Sequence, residues 1–443
     1  MPGSTPRSPV QARNWAVVQV DSVFVGVVSA SGTFLPVFLV RLGASGTAVA
    51  LLTAIPAVTA FALAIPFGRW LQARGNIVPW YSRLRLAGWL SYAAMAGVAA
   101  ILPPERAVPV MLAIWALASL PSTAGLVAFP IVMDGAAGPA GRFDLLGRRW
   151  AIAGVSTAIS VAIGGQLLNL LSFPTNFELL FVAVSIAGFG SFLQSRQLVI
   201  EEPPRPAAVA ATGTSDGRPA GAAVTSRPGL RALAALVRGE RPFVRYELRA
   251  LVFTAGIGLA APLLPLFYVH EVHAPDAWIG IIGASQSAGA VLGYVVSRRV
   301  SLRRAGATIL MPALLVTALV PATLSVLDWL PAVAAVAFVS GVAAAGAQLA
   351  LFDRLMDSIP RAHGVTFSSV DQSLQNFALI VAPNLGGLLA VTVGVRPGLI
   401  SAAAVLAVAL VLFAADAGVP RRRIRLPLRA RVGPVELAPP ERE

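Results

Sequence analysis

The sequence has no cysteine and no lysine, and charged residues make up only 12% of its 443 positions. Without cysteine, the chain can form no disulfide, no zinc–thiolate site and no cysteine nucleophile. Its three histidines (His270, His273 and His363) are too few and too scattered for the usual kind of metal site. We therefore expect neither a metal nor a cofactor. A soluble protein carries about 25% charged residues, so the deficit points away from a soluble domain.

Apolar residues make up 56% of the chain, and its mean hydropathy is +0.76. A bilayer core about 30 Å thick needs roughly 20 apolar residues in a helix. The apolar runs are continuous rather than alternating, which favours helices over the strands of a membrane barrel. The sequence thus predicts an all-α integral membrane protein. Twelve segments reach the required length: 14–40, 46–71, 79–102, 107–132, 148–171, 177–198, 244–270, 276–297, 305–327, 330–356, 364–393 and 396–418.

The stretch 201–241 separates these segments into two groups of six. It is rich in proline, glycine, alanine and threonine and has no apolar run that could build a core, so we predict a flexible linker. The two groups echo each other. Phe34–Leu39 (FLPVFL) resembles Leu263–Tyr268 (LLPLFY), with Pro36 and Pro265 in matching places.

A glycine pair repeats in the same way, since Gly164 and Gly165 in the first group have counterparts in Gly386 and Gly387. We infer two copies of one six-helix unit. The predicted organisation is a cytoplasmic tail at 1–13, a six-helix bundle at 14–198, a cytoplasmic linker at 199–243, a second bundle at 244–418 and a basic cytoplasmic tail at 419–443.

The arginines indicate how the helices are oriented. With the N-terminus in the cytoplasm, only Arg41, Arg106 and Arg396 of the 34 arginines fall on the opposite side, which satisfies the positive-inside rule. Both termini are therefore predicted to be cytoplasmic, in a multi-pass protein of the cell membrane. The basic tail then lies against anionic lipid headgroups. No stretch has the basic and aromatic interleaving of a nucleic-acid groove, so we expect no nucleic-acid partner.

Two groups of six helices, a long cytoplasmic connector and both termini inside resemble the major facilitator superfamily of secondary transporters, over residues 14–418. The resemblance implies two six-helix bundles related by a pseudo-two-fold axis, around a cavity that opens alternately to each side of the membrane. In that family, the loop between the second and third helices carries a glycine, an aspartate four residues later and basic residues, and it locks the cytoplasmic face through ion pairs.

The corresponding loop here has Gly68, Arg69 and Arg74, but Gln72 stands at the aspartate position. By resemblance, these residues are candidates for a cytoplasmic gate. Asp134, at the inner end of the fourth segment, is the candidate acidic partner of Arg69 or Arg74. The alternative is that both arginines merely follow the positive-inside rule.

Ionisable side chains inside a bilayer are costly unless they face a partner or water, so they point to function. Asp21 and Asp371 stand out. Asp371 shares a helical stripe with Gln372 and Gln375, which favours a place on the cavity wall. For Asp21 the sequence leaves open a cavity position, contact with interfacial water, or a pair with Arg13 or an arginine of the seventh segment. The candidates for the cavity and for proton coupling are Asp21, Asp371, Gln372, Gln375, Asn376, Gln286 and Gln166.

One or both carboxyl groups are expected to take up and release a proton during transport, whereas Gln166 and Gln286 could equally make one interhelical hydrogen bond each. The resemblance implies a monomeric secondary transporter of a small molecule. Sparse polar content in the cavity favours an amphipathic or lipophilic substrate and proton-coupled efflux. The alternatives are a proton-coupled importer, a facilitator, or a sensor or scaffold that does not transport. No phosphate-binding or metalloprotease motif is present, so an enzyme is not expected.

Overall fold

The computed structural model of the protein describes residues 8–72, 74, 76–137, 142–200, 236–301, 307–359 and 364–417. Within these ranges the chain is helical and contains no β-strand. Apart from its ends, a helix satisfies its backbone N–H and C=O groups within itself, which a bilayer demands. Most of the predicted linker and the basic tail lie outside the described residues.

The described residues of the first half form seven helices. Ser8 begins the first of them, since its side chain accepts a hydrogen bond from the backbone of Gln11 in a capping box. The helices are α1 Pro9–Ser29, α2 Ser31–Arg41, α3 Gly46–Gln72, α4 Val78–Ile101, α5 Pro104–Ala137, α6 Arg142–Leu167 and α7 Thr175–Ser195.

The second half repeats this plan. Its helices are α8 Arg241–Ala260, α9 Leu263–Leu266, α10 Asp276–Ser301, α11 Ala307–Leu324, α12 Leu330–Ser358, α13 Gly364–Thr392 and α14 Val395–Ala417, with a π-helical turn at Phe267–Glu271 after α9.

The first span of each half is interrupted. α1 and α2 are two parts of one span that breaks at Ala30, and α8, α9 and the π-helical turn form one span that breaks at Ala261. Each break lies within two turns of a proline, Pro36 or Pro265. A proline lacks the backbone donor and weakens the helix around it, and the breaks recur in both halves on the N-terminal side of the matching prolines.

Among the described residues, eleven spans are long and apolar enough to cross a membrane, and the shorter apolar helix Ile309–Leu324 supplies the ninth of twelve. This confirms the predicted twelve-helix arrangement. Some ends differ from the prediction: α1 begins at Pro9, inside the predicted tail, and α8 begins at Arg241, inside the predicted linker. Because successive spans run in opposite directions, their ends gather at two faces. We call the face where α1 begins the proximal face, and the face where α2 ends the distal face.

The two halves pack their helices in the same pattern. In the first half, α1 packs against α6 and α7, α4 against α5 and α7, and α3 against α5. The equivalent helices of the second half do the same: α8 packs against α13 and α14, α11 against α12 and α14, and α10 against α12. Between the halves, α3 packs against α13 and α6 against α10. Exchanging the halves converts one of these contacts into the other, which is the pattern of a pseudo-two-fold axis.

The buried apolar residues show where the halves join. The distal core draws on both halves, including Phe38 and Phe177 from the first and Phe267 from the second. Toward the proximal face each half has a core of its own, one around Tyr81 and one around Phe243. The halves therefore share a core on the distal side and pack separately on the proximal side.

Candidate functional site

Glycine contacts bring the backbones of the two halves together at the distal face. A Cβ on Gly165, near the end of α6, would lie 2.4 Å from the Cα of Gly280 on α10. A Cβ on Gly387 of α13 would likewise lie 2.4 Å from the carbonyl oxygen of Gly46 on α3. Any side chain would force these helices apart, because the opposing atoms are backbone. The glycine pairs that repeat in the sequence thus mark two places where the backbones of the halves touch.

The contact between α6 and α10 continues toward the middle of the molecule. There Gly283 of α10 lies against Thr33 of α2, and Gly154 of α6 lies against Val291. We call the contact of α10 with α6 and α2 the seam. The glycine contacts and the seam together close the distal side between the halves.

A polar latch made of Arg41, Asn176 and Asp276 crosses the seam at the distal face. Nη2 of Arg41 lies 2.6 Å from Oδ1 of Asp276 and donates to the carbonyl oxygen of Ala274 at 2.9 Å. Nδ2 of Asn176 donates to Oδ2 of Asp276 at 3.3 Å. Asp276 begins α10, where the helix dipole favours a carboxylate. The first two residues belong to one half and Asp276 to the other, so the distal latch must break if the halves separate here.

A basic cluster of Asp21, Arg85, Arg149 and Ser191 lies inside the first half. Nη2 of Arg85 donates to the two carboxylate oxygens of Asp21 at 3.2 and 3.3 Å and lies 2.8 Å from the hydroxyl of Ser191. That hydroxyl donates to Asp21 in turn. Nη2 of Arg149 lies 3.8 Å from Oδ2 of Asp21. The cluster therefore ties together α1, α4, α6 and α7.

This cluster settles where Asp21 lies. The residue is 3% exposed and faces two guanidinium groups. Its partners are neither Arg13 nor an arginine of the seventh span, the two pairings that the sequence suggested. Asp21 is therefore the shared acidic partner of two arginines, one on α4 and one on α6.

The second half holds an acid pair, Glu247 on α8 and Asp371 on α13. Glu247 is 4% exposed, and its Oε1 accepts a hydrogen bond from Nε2 of Gln375 at 3.3 Å. Thr254 donates to the other end of the same amide. Among the described residues, Oε2 of Glu247 is buried without a partner in a hydrogen bond of normal geometry. The carboxyl group of Asp371 lies beside that of Glu247, close enough for the two to interact directly.

Within the described part of the chain, the groups that act on the acid pair are the two carboxyl groups themselves and Gln375, with no arginine among them. Two neighbouring carboxyl groups repel each other when both are ionised, because like charges at close range disfavour the charged forms. The register that superimposes Gly165 on Gly387 also superimposes Arg149 on Asp371. One position of the repeat thus carries a cation in the first half and an acid in the second.

The other predicted cavity residues are spread over three helices. Gln375 and Asp371 come together with Glu247, as described. Gln372 on α13, Gln286 on α10 and Gln166 on α6 are exposed, and Asn376 on α13 is buried. The stripe predicted on the eleventh span is therefore split between an exposed side and the network around Glu247.

The predicted gate arginines differ in their surroundings. The guanidinium carbon of Arg74 lies 4.8 Å from the ring centroid of Trp70 and 4.5 Å from that of Trp80, so two aromatic rings hold this cation. Arg69 is exposed near the proximal end of α3.

Three further gate candidates belong to the same face. Gly68 faces Val127 of α5 at an ordinary contact distance, 3.7 Å from where a Cβ would stand. Asp134 is exposed near the proximal end of α5, and its pairing with either arginine stays a prediction. The side chain of Gln72 lies outside the described residues.

Sequence reasoning missed Arg85, Arg149 and Glu247. All three lie inside segments predicted to span the membrane, 79–102, 148–171 and 244–270. An ionisable residue inside such a segment indicates a functional site, so the sequence contained a signal for them. Because the arginines lie close to the proximal ends, the positive-inside rule groups them with the loop charges.

No family model matches the chain, and no curated protein matches its sequence. Solved structures do match. A bacterial homologue of the iron transporter ferroportin in the inward-facing state aligns over 93% of this chain and 100% of that chain, with a TM-score of 0.69 and 13% identity. The nucleoside transporter NupG aligns over 93% and 100%, with a TM-score of 0.65 and 13% identity.

A bacterial homologue of the human lysosomal transporter Spinster, inward-facing and unoccupied, aligns over 93% of this chain and 97% of that chain, with a TM-score of 0.60 and 16% identity. At such identities the likeness shows the fold. It is the fold of the major facilitator superfamily, as the sequence resemblance implies.

Proposed function

We propose that the protein is a proton-coupled secondary transporter that works by alternating access in the cell membrane, with its proximal face in the cytoplasm. Closure at the distal face, together with separate cores toward the proximal face, describes one of the two states that alternating access requires. In this assignment the state is inward-facing. Arg41 and Arg396 then lie on the outer side, and the abundant arginines of the proximal side lie in the cytoplasm.

The acid pair is the observation that supports proton coupling. Glu247 and Asp371 join α8 to α13, and α13 packs against α3 of the other half. A change in the protonation of the pair alters the repulsion between α8 and α13, and α13 conveys that change to its contact with α3. Gln375 belongs to the same network, and it bonds to Glu247 and to Thr254.

Exposed apolar side chains on α1 and α8, which pack inside their own halves, support an amphipathic or lipophilic substrate. α1 packs inside the first half, against α6 and α7, yet Val20 and Val23 are each 46% exposed; Leu248 of α8 is 59% exposed. Side chains exposed on such helices line the space between the halves in this assignment. A lipophilic molecule reaches that space from the inner leaflet, which favours export.

Liposomes that contain the purified protein and an internal pH dye test the proposal. Amphipathic compounds of varied charge are added under an imposed pH gradient, and both proton movement and compound uptake are followed. We expect one class of compound to move against protons. Glu247→Gln and Asp371→Asn should each abolish the proton component, whereas Asp353→Asn, which alters an exposed acid near the proximal end of α12, should leave it unchanged.

The alternatives give different results. Movement of compound and protons in the same direction identifies an importer. Compound movement that ignores the pH gradient identifies a facilitator. A protein that moves no compound in the panel contradicts the transport proposal and favours a scaffold.

A further inference from the structure

The basic cluster contains more positive than negative charge. Arg85 and Arg149 face Asp21 about two turns, or roughly 10 Å, from the proximal ends of their helices. In the described ranges, Asp21 is the one carboxylate that contacts them. Tyr81, which lies beside Arg149, is a phenol and brings no negative charge at neutral pH. Among the described residues, one unit of positive charge in the cluster is therefore without a counterion.

The cluster also has hydrogen-bond donors to spare. A guanidinium group carries five N–H bonds. Nη1 of Arg85, and Nε and Nη1 of Arg149, are enclosed by protein without an acceptor among the described residues. Each of these three nitrogen atoms is itself buried, so solvent at the surface does not reach them.

The aromatic rings do not supply the missing acceptor; the hydroxyl of Tyr81 interacts with Arg149, yet Nε and Nη1 of Arg149 stay without an acceptor among the described residues. The guanidinium carbon of Arg85 lies 4.8 Å from the ring centroid of Tyr81 and 4.4 Å from that of Trp89, and Arg149 lies 4.8 Å from Phe129. Rings in these positions attract the cations through their faces. The N–H bonds, however, point outward in the guanidinium plane. An acceptor must therefore approach in that plane, at the edge of each guanidinium group.

We propose that the basic cluster binds one small monovalent anion, held between the edges of Arg85 and Arg149 across from Asp21. Such an anion supplies both the missing negative charge and an acceptor for the unpaired donors. Its source is either free chloride or the carboxylate group of a molecule that the protein carries. The second half has no equivalent site, because Asp371 stands at the position of Arg149 in the repeat.

Thermal unfolding of the full-length protein in detergent tests this proposal. Chloride is titrated against gluconate at constant ionic strength, since gluconate is too large for an enclosed site. We expect the melting temperature to rise with chloride in the way that a ligand of the native state requires. Arg149→Gln should weaken the apparent affinity by about tenfold or more, the factor for one charge-assisted hydrogen bond. Asp21→Asn should strengthen it, because a negative neighbour is removed.

The matched control is Arg148→Gln. Arg148 is adjacent in the sequence, but it is exposed and pairs with Asp144 one turn away. Its replacement should leave the chloride response unchanged. Absence of a chloride response in the unaltered protein overturns the proposal, and so does an equal loss in the Arg148 and Arg149 variants. If Arg149→Gln does not fold, Arg149→Lys keeps the charge, loses the planar fork and should still weaken binding.

A bromide-soaked crystal of the unaltered protein provides an independent measurement. Anomalous density between Arg85 and Arg149 supports the site, and bromide found only elsewhere overturns it. Formate and acetate then distinguish the two sources. If they displace bromide and are taken up by liposomes that contain the protein, the anion is a substrate carboxylate. If they neither displace bromide nor cross the membrane, the anion is a resident chloride.

Discussion

Replacement of Gly165 by alanine is predicted to shift the protein toward a state that is open at the distal face. The added methyl group would stand 2.4 Å from the Cα of Gly280, 3.0 Å from its backbone nitrogen and 3.2 Å from the carbonyl oxygen of Asp276. These atoms belong to the backbone, so no change of rotamer relieves the clash. Relief requires that α6 and α10 move apart by about 1 Å, which is the movement that separates the halves.

The size of the shift follows from the cost of overpacking. Forcing an extra methyl group into a close contact costs about 1–3 kcal/mol. If only the closed state carries this cost, the ratio of open to closed molecules rises by about 5- to 150-fold. The open state itself should be unaffected, because its helices no longer touch at this point.

The absence of cysteine makes the assay direct. Thr33 lies against Gly283 in the closed seam and is predicted to become accessible when the distal side opens. In Thr33→Cys protein, the rate of labelling by a membrane-impermeant maleimide added at the distal face reports the open fraction. Adding Gly165→Ala should raise this rate by about the same factor as the population ratio.

Gly97→Ala is the matched control, because a Cβ on Gly97 of α4 meets nothing within 4 Å. That variant should label at the rate of Thr33→Cys alone. Equal rates in the Gly165 and Gly97 variants, with both proteins folded and monodisperse, would refute the idea that the glycine contacts hold the distal face closed.

Two further predictions concern charged groups. Arg41→Gln should raise the labelling rate of Thr33→Cys at the distal face by a few fold, because a partly exposed ion pair contributes about 1 kcal/mol or less. Arg106→Gln, at an exposed distal site, is the control. Equal labelling rates in the two variants would show that the distal latch does not hold the face closed. Asp21→Asn should lower stability by about 3–5 kcal/mol in denaturation, since it leaves buried arginines unpaired. Glu247→Gln should have little effect or raise stability, since it relieves a pair of like charges; an equal loss in both variants would contradict the distinction between the clusters.

Much of the fold was predictable because bilayer thickness and hydropathy constrain it directly. Continuous apolar runs separated by polar turns define the spans, and the doubled proline and glycine patterns reveal the repeat before any coordinates are known. The ends of spans were harder. α1 begins at Pro9 because Ser8 and Gln11 form a local cap, a signal that carries no hydropathy.

The pairing of charges could not be read from the sequence. An arginine two turns from a helix end can extend its side chain to the interface or fold inward, and both give the same sequence. Arg85 and Arg149 fold inward because Asp21 and Ser191 arrive from other helices. Glu247 similarly belongs to an acid pair only because Asp371, which is far away in the chain, lies beside it in the structure. Such contacts depend on the rotation of each helix, which hydropathy hardly constrains in helices with so few polar residues.

The glycine contacts have an electrical consequence. Where side chains close a pathway, a change of one rotamer can admit a chain of water molecules. Where two backbones are in contact, no side chain is present whose rotation could open the pathway. Where the backbones meet, ions can pass only when whole bundles shift. A membrane that contains many copies of this protein should therefore maintain its membrane potential. Electrical recordings should show no leak conductance through the protein while the halves remain in contact.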